Sequence, residues 1–578
     1  MKKLLVYLKG YIKESVLGPL FKLLEAAFEL IVPLVVASII DNGIAGADGG
    51  YIVTRILIMI TLGVVGLACS ITAQYFAAKA AVGFAAKLRR ELFSHIQELS
   101  FSEIDEIGTA RLINRMTSDV NSVQGCVNMV LRLFLRSPFI VFGAMIMAFS
   151  IDVKCALIFC VAIPVLMAVV FGIMIASIPL YRKVQERLDA ILKTTRENLN
   201  GTRVIRAFNK EEDEINAFNG GNASLTGIQV FAGKISALMN PITFAVINAA
   251  MAVLIYTGAV RVNIGRLSQG QVIALVNYMS QILVELVKLA SLIIQITKAL
   301  ASANRVQEIF EIKPSMEFPE SSPENTDSPY AVEFENVALT YKNGGAEALA
   351  DIDFKVKKGE PIGIIGGTGS GKSSLVHMIP RFYDATAGEV RVDGINVKNY
   401  AKDDLRGKIA IVMQKAVLFN GTIRENMRWG KPDATDAEIR EALKCAQAAE
   451  FVGDKEGELD YMIAQGGRNL SGGQRQRLTI ARALVSRPQI LILDDSSSAL
   501  DYATDAKLRE AIGGLGGKLT TFIVSQRTAS LRSADRIIVM EDGAVAGIGT
   551  HEELLAGCTV YKEIYGTDSN SEEGGAHK

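Results

Sequence analysis

The sequence predicts a six-helix, all-α membrane domain followed by an α/β domain, and three observations predict it. Long apolar runs crowd the first half of the chain. A polar, Pro-rich stretch follows at about residue 305. Short aliphatic runs then alternate with helical stretches, the pattern of an α/β domain. The chain has 578 residues, enough for several domains. Apolar residues make up 49 % and the mean hydropathy is +0.27, with the excess in the first half. The 61 basic and 61 acidic side chains balance, which gives no support for a nucleic-acid partner.

In residues 1–14, "MKKLLVYLKGYIKE", apolar positions alternate with Lys9, Lys13 and Glu14. That reads as an amphipathic helix on the cytoplasmic membrane surface, not a signal peptide. Crossing roughly 30 Å of hydrocarbon takes about 20 apolar residues. Six stretches qualify, near 16–40, 54–80, 131–151, 155–180, 236–260 and 271–297, within a membrane domain of residues 15–305. The loop "DNGIAGADGG" has no Lys or Arg, whereas 81–130 and 181–235 carry many, among them Arg89, Arg90, Arg182 and Arg206. The positive-inside rule puts those two segments, both chain ends and the second domain in the cytoplasm of a cell (inner) membrane. Both segments keep helical apolar spacing, so helices are expected to run on past the bilayer, broken at Gly108 and Gly201.

Charged residues interrupt the spans. Lys22, Glu25 and Glu29 share one face of the first, Arg136 sits near the inner end of the third, and Glu285 and Lys288 share a face of the sixth. Such residues face the bundle interior or water. Two readings stand: Glu25, Glu29, Arg136 and Glu285 line a cavity for small amphipathic substrates, or they pair with one another. The six cysteines form no CxxC and no zinc spacing, and read as buried thiols.

Residues 306–329, with "KPSMEFPESSPENTDSPY", read as a linker, 330–566 as the α/β domain and 567–578 as a disordered tail. In the α/β domain, "GGTGSGKSS" fits G-x-x-x-x-G-K-[ST] between the strand "PIGII" and the helix "SSLVHMI". It comprises Gly366, Gly367, Thr368, Gly369, Ser370, Gly371, Lys372, Ser373 and Ser374. In such a loop the backbone N–H groups wrap phosphates, the lysine reaches the β/γ-phosphates and the serine hydroxyl ligates Mg²⁺. The helix N-terminus adds favourable dipole charge. The fold class is thus a six-helix membrane domain fused to an α/β P-loop nucleotide-binding domain, with a nucleotide and Mg²⁺ as cofactors. Further on, "ILILD" runs as a buried strand into Asp494, a carboxylate suited to help hold Mg²⁺, and Asp495 follows.

About twenty residues before that strand stands "LSGGQRQR". With it the chain resembles the ATP-binding cassette (ABC) transporters, specifically the exporter half-transporters that fuse six spans to one cassette. The resemblance implies that Tyr341 stacks on adenine and that Gln414 touches Mg²⁺ and senses the membrane domain. It implies a D-loop at Ser498, Ala499, Leu500 and Asp501. It places coupling helices at "FSEIDEIGTARLINR" and "NGTRVIRAF", and likens "AQGGRN" loosely to the X-loop. Two cassettes meet head to tail in this family, so Leu470, Ser471, Gly472, Gly473 and Gln474 complete the partner's site.

Two positions depart from the family's active pattern. Asp495 stands where the catalytic Glu belongs, and Gln526, in "FIVSQRTAS", stands where the switch His belongs. An aspartate falls about 1 Å short of a glutamate's reach, and such displacements cost about 10²-fold. Glutamine carries no charge. The chain therefore resembles the degenerate-site subunit of heterodimeric bacterial multidrug exporters. Its own site is expected to bind ATP and hydrolyse it slowly, while its LSGGQ serves a different partner chain that carries the Glu and the His. ATP hydrolysis would drive amphipathic drug-like or lipid-like compounds out through the bilayer. The alternatives are a homodimeric exporter of peptide or lipid, and a regulatory or channel-like half in which ATP only holds a conformation.

Overall fold

The computed structural model describes residues 3–566, apart from Asn325, Asn343, Ser498 and residues 516–518. The tail expected at 567–578 lies outside the described residues. Two units result: Met1–Gln97 with Ala110–Ile312, and Glu98–Thr109 with Lys313–Lys578.

In the first unit, apolar helical spacing continues well beyond what a bilayer needs. Six helical stretches, Leu4–Ile44, Gly49–Glu98, Thr109–Ile151, Val153–Asn200, Glu211–Asn263 and Gln269–Glu311, are long and apolar enough to cross a membrane. Each holds one predicted span. They run from 41 to 53 residues, about 60–80 Å at the helical rise, twice the hydrocarbon thickness of about 30 Å. The helices are α1 (Ile12–Ser38), α2 (Gly49–Glu98), α3 (Phe101–Ile107), α4 (Thr109–Asn114), α5 (Val120–Leu133), α6 (Arg136–Ile151), α7 (Val153–Asn200), α8 (Thr202–Ala207), α9 (Glu211–Ala237), α10 (Met239–Asn263) and α11 (Gln269–Glu311). Before α1, residues Leu4–Tyr11 form a 3₁₀ turn that buries Leu4. Small side chains such as Ala26, Ala144, Ala148, Ala156 and Ala274 fill the helix contacts, as packing in lipid favours.

The breaks have local causes. Gly108 adopts φ +80 and ends α3, and α7 stops at Gly201, as expected. Within the third stretch the helix is interrupted at Phe134 and Leu135 and restarts at Arg136. Pro138 explains this: it has no N–H to donate to the Phe134 carbonyl, and only a first helical turn tolerates that. The linker starts later than 306. Helix α11 continues to Glu311 because Val306 and Ile309 extend its buried face.

The charges in the spans pair with one another. Arg136 bridges Glu29 at 2.6 Å and Glu285 at 2.7 Å, Lys288 meets Glu285 at 2.8 Å, and Lys22 meets Glu25 at 2.5 Å. Ser137 Oγ also donates to Glu285 at 2.7 Å. Arg136 thereby ties α1, α6 and α11 together. Glu285 and Arg136 are buried, whereas the Glu29 side chain is 41 % exposed.

The second unit is built on strands β1 (Tyr330–Leu339), β2 (Leu349–Lys357), β3 (Pro361–Gly366), β4 (Ala387–Val392), β5 (Ile395–Asn396), β6 (Ile409–Val412), β7 (Gly421–Thr422), β8 (Met462–Ile463), β9 (Ile490–Asp494), β10 (Thr520–Val524), β11 (Arg536–Glu541) and β12 (Ala544–Gly549). One sheet has the order β2-β1-β4-β5 and is antiparallel. The larger has the order β12-β11-β3-β10-β9-β6, parallel except at β12. Strand β9 is wholly buried, which explains its unbroken aliphatic run. The segment expected to link the domains is clamped to this unit. The Phe318 ring lies 4.5 Å from the Arg381 guanidinium and 5.6 Å from that of Arg406, and Ser322 Oγ donates to Asp404 at 2.6 Å.

Helix α3, although it lies between α2 and α4 in the chain, belongs to this second unit and not to the first. Phe101 stacks on Phe382 at 4.4 Å, Lys342 reaches the buried Glu103 at 3.1 Å, and the Tyr383 hydroxyl donates to Asp105 at 2.5 Å.

Arg136→Met removes one of the two cations that meet buried Glu285 and is expected to destabilise the membrane unit by about 3 kcal/mol. Thermal unfolding in detergent checks this: the single variant melts lower, and adding Glu285→Leu recovers part of the loss.

Candidate functional site

In a parallel sheet the crevice outside the carboxyl ends of the strands is where ligands collect. Here β10 lies between β3 and β9, with Val524 opposite both Ile364 and Asp494. The loops that follow these three strands carry the P-loop, Asp495 and Gln526. They converge on a cleft of about 530 Å³, which Tyr341 and Gln414 also line.

The P-loop joins β3 to α12 (Lys372–Met378). Gly371 adopts φ +93, and a Cβ there would sit 2.8 Å from the Ala348 carbonyl oxygen, so a side chain meets both backbone strain and a clash. Lys372 is buried, and its Nζ donates to the Gly366 and Gly367 carbonyls at 2.8 and 2.6 Å. Burial pulls the Lys372 pKa down, against the nearby Asp495 and Asp494. Ser373 Oγ donates to Asp494 Oδ1 at 2.9 Å. The Tyr341 hydroxyl donates to Ser374 Oγ at 2.9 Å, and its ring meets Tyr383 edge-on at 5.1 Å.

Asp495 adopts φ +45, a left-handed conformation that Asp tolerates better than most residues. Its Oδ2 accepts from Gln414 Nε2 at 3.2 Å. Burial is the first cause raising the Asp495 pKa above the ordinary carboxylate value, and Asp494 adds to it, against Gln414 and Lys372. Gln526 is exposed at the rim. The serine hydroxyl, the aspartate carboxylate and the Gln414 amide are all hard oxygen donors lining one cleft, the chemistry that suits Mg²⁺.

The signature residues lie elsewhere. Leu470 is buried, and Ser471 and Gln474 form a reciprocal capping box at the start of the helix Gly472–Val485. That leaves Ser471 and Gly472 exposed. None of Leu470–Gln474 lines the cleft. A Cβ at Gly473 would lie 3.2 Å from the Ala499 carbonyl oxygen, so the D-loop backs the signature. In that loop Leu500 is buried, Ala499 is exposed, and Asp501 caps the next helix by accepting from Thr504 N at 2.8 Å. Ser498 lies outside the described residues.

Sequence reasoning missed Glu347, Asp542 and Gly543 on the cleft wall, and Tyr383 behind Tyr341. "DG" at 542–543 marks a hairpin turn. That the turn abuts the cleft follows only from the bond of Ala350 N to the Gly543 carbonyl at 2.9 Å.

Comparison with known proteins agrees with this architecture. Residues 15–286 match the ABC transporter transmembrane region, and residues 349–498 match the ABC transporter family. An uncharacterized ABC transporter ATP-binding protein of Mycobacterium tuberculosis is 36 % identical over 96 % of this chain and 95 % of its own length. A putative multidrug export ATP-binding/permease protein of Bacillus subtilis, YgaD, is 32 % identical over 98 % of both chains. The ATP-dependent lipid A-core flippase of Desulfotalea psychrophila is 34 % identical over 82 % of this chain and 83 % of its own. A bacterial Atm1-family ABC exporter solved with ATP bound shares the fold, with a TM-score of 0.78 over 96 % of this chain and 98 % of that one, at 22 % identity. The chain belongs to the ABC transporter family, as a multi-pass membrane protein of exporter architecture with its ATPase domain fused to six spans.

On the reading of Tyr341 as the adenine-stacking residue, Tyr341→Ala is expected to weaken ATP binding about 5- to 150-fold, since base–aromatic stacking contributes about 1–3 kcal/mol. Tyr341→Trp keeps the affinity. Titration with a fluorescent ATP analogue reads both.

Proposed function

We propose that this chain is the degenerate-site half of a heterodimeric, ATP-driven exporter in the cell (inner) membrane, with its ATPase domain in the cytoplasm. The observation that carries the reading is the pair Asp495 and Gln526 in one cleft with an intact P-loop. Lys372 and the loop backbone would grip the phosphates, Tyr341 the adenine, and Ser373, Gln414 and Asp494 the Mg²⁺. The ion adds charge stabilisation at the phosphates when bound. The poor step is water activation. Asp495 is short, already accepts a hydrogen bond from Gln414, and has no charged switch residue opposite it. ATP is held there and turned over slowly.

The exposed Ser471 and Gly472 complete the site of a second chain that carries the Glu and the His. A partner is required because the cleft has no signature residue of its own. Helices α3 and α8 are the coupling helices. The grip of α3 on Lys342, next to Tyr341, and on Tyr383 supports transmission from the nucleotide to the spans. The cargo is amphipathic, drug-like or lipid-like, as the multidrug and lipid A relatives suggest. Of the four charged candidates for the cavity wall, Glu29 has the most exposed side chain, so it is the one that meets cargo.

Asp495→Glu combined with Gln526→His, in a complex with a partner that supplies the facing signature and whose own P-loop lysine is replaced, is expected to raise the ATPase rate of this chain's site about 10²-fold. An unchanged rate refutes the degenerate assignment. In a complex with a Glu- and His-bearing partner, Ser471→Ala in this chain should cost most of the complex's ATPase activity. Full activity there would refute the shared site.

A further inference from the structure

His377 takes no part in the site as described, yet it lies against its metal-binding end. Helix α12 places Ser373 and His377 four residues apart, hence on one face, one turn apart. Both face Asp494. Ser373 Oγ donates to Oδ1 at 2.9 Å, and His377 Nε2 lies 3.5 Å from Oδ2. The second distance is too long for an ordinary hydrogen bond. Nε2 is nonetheless buried and has no hydrogen-bond partner among the described residues. A buried polar nitrogen without a partner is unfavourable, and the Asp494 carboxylate is the acceptor within reach. The ring is held in place by Phe382 at 5.7 Å and Tyr383 at 6.5 Å.

The backbone of Asp494 is fixed by its register with Val524 in the sheet. What remains free is rotation of its carboxylate. We propose that His377 is a positioning residue for Asp494: its Nε2–H closes onto Oδ2 while Ser373 holds Oδ1, fixing the carboxylate plane for Mg²⁺. Neutral imidazole is sufficient, because the proton needed is the one on Nε2, and no positive charge is placed beside a dication. Outer-shell partners of this kind hold ligating carboxylates in register, and losing one costs metal affinity about 10- to 100-fold. The inference rests on the reading of Asp494 as a Mg²⁺ carboxylate.

The test is Mg²⁺ titration of the full-length chain, following binding of a fluorescent ATP analogue, for wild type, His377→Phe, His377→Gln and Asp494→Asn. His377→Phe keeps a ring and removes the donor. It should raise the half-saturating Mg²⁺ concentration about tenfold and leave binding in EDTA unchanged. His377→Gln, which keeps an N–H at similar reach, should restore the Mg²⁺ dependence. An unshifted titration for His377→Phe overturns the proposal while Asp494→Asn shifts. Equal losses with Mg²⁺ and with EDTA overturn it too, because they mark a packing role, as does failure of His377→Gln to rescue. If Asp494→Asn itself leaves the titration unchanged, the metal assignment falls, and the role of His377 with it.

Discussion

The hydroxyl of Ser373 donates to the carboxylate of Asp494 across 2.9 Å, and the nucleotide cleft is organised around that contact. It joins the first turn of the helix after the P-loop to the end of a buried strand 121 residues later. Ser373 is positioned because Gly371 lets the loop turn where a side chain would strike the Ala348 carbonyl. Asp494 is positioned because β9 is buried throughout and in register with β10. A charged group at the end of an all-apolar strand is tolerable only where the strand emerges into a polar cleft.

The same end of the sheet brings Asp495 and Gln526 to one cleft. They follow neighbouring strands, β9 and β10, and Asp495 N donates to the Val524 carbonyl at 3.0 Å. One residue is too short and the other uncharged, and both face the same phosphate position on the proposed reading. The P-loop, Tyr341 and Gln414 sit on other segments of the chain. On the proposed reading, holding and cutting are separable here. The signature residues are presented to solvent on a capped helix, which is where a second cassette would need them.

Much of this is legible in the sequence, and the boundary is physical. The P-loop, the "ILILD" strand and LSGGQ are local patterns whose meaning lies in contiguous residues. The six spans are legible because twenty apolar residues have few other uses. Contacts between distant residues are not legible. Nothing in the text of the chain says that Arg136 selects Glu29 and Glu285, so a cavity wall and an ion-pair network read alike. Phe318 looks like one apolar residue in a loose linker until Arg381 and Arg406 close around it. His377 reads as an ordinary helix residue, because only the fold brings it to Asp494. The helix break before Arg136 and the continuation of α11 to Glu311 have the same kind of cause, a proline in one case and an extended buried face in the other.

The account turns on what becomes of ATP in the site made by this chain's own P-loop. The direct measurement takes the complex of this chain with a Glu- and His-bearing partner whose own P-loop lysine is replaced, loads it with ATP labelled on the γ-phosphate in the presence of Mg²⁺, removes free nucleotide, and identifies what stays bound over time. The account predicts that the bound species remains intact ATP, with label leaving only slowly. Prompt conversion to ADP with release of the labelled phosphate would contradict it.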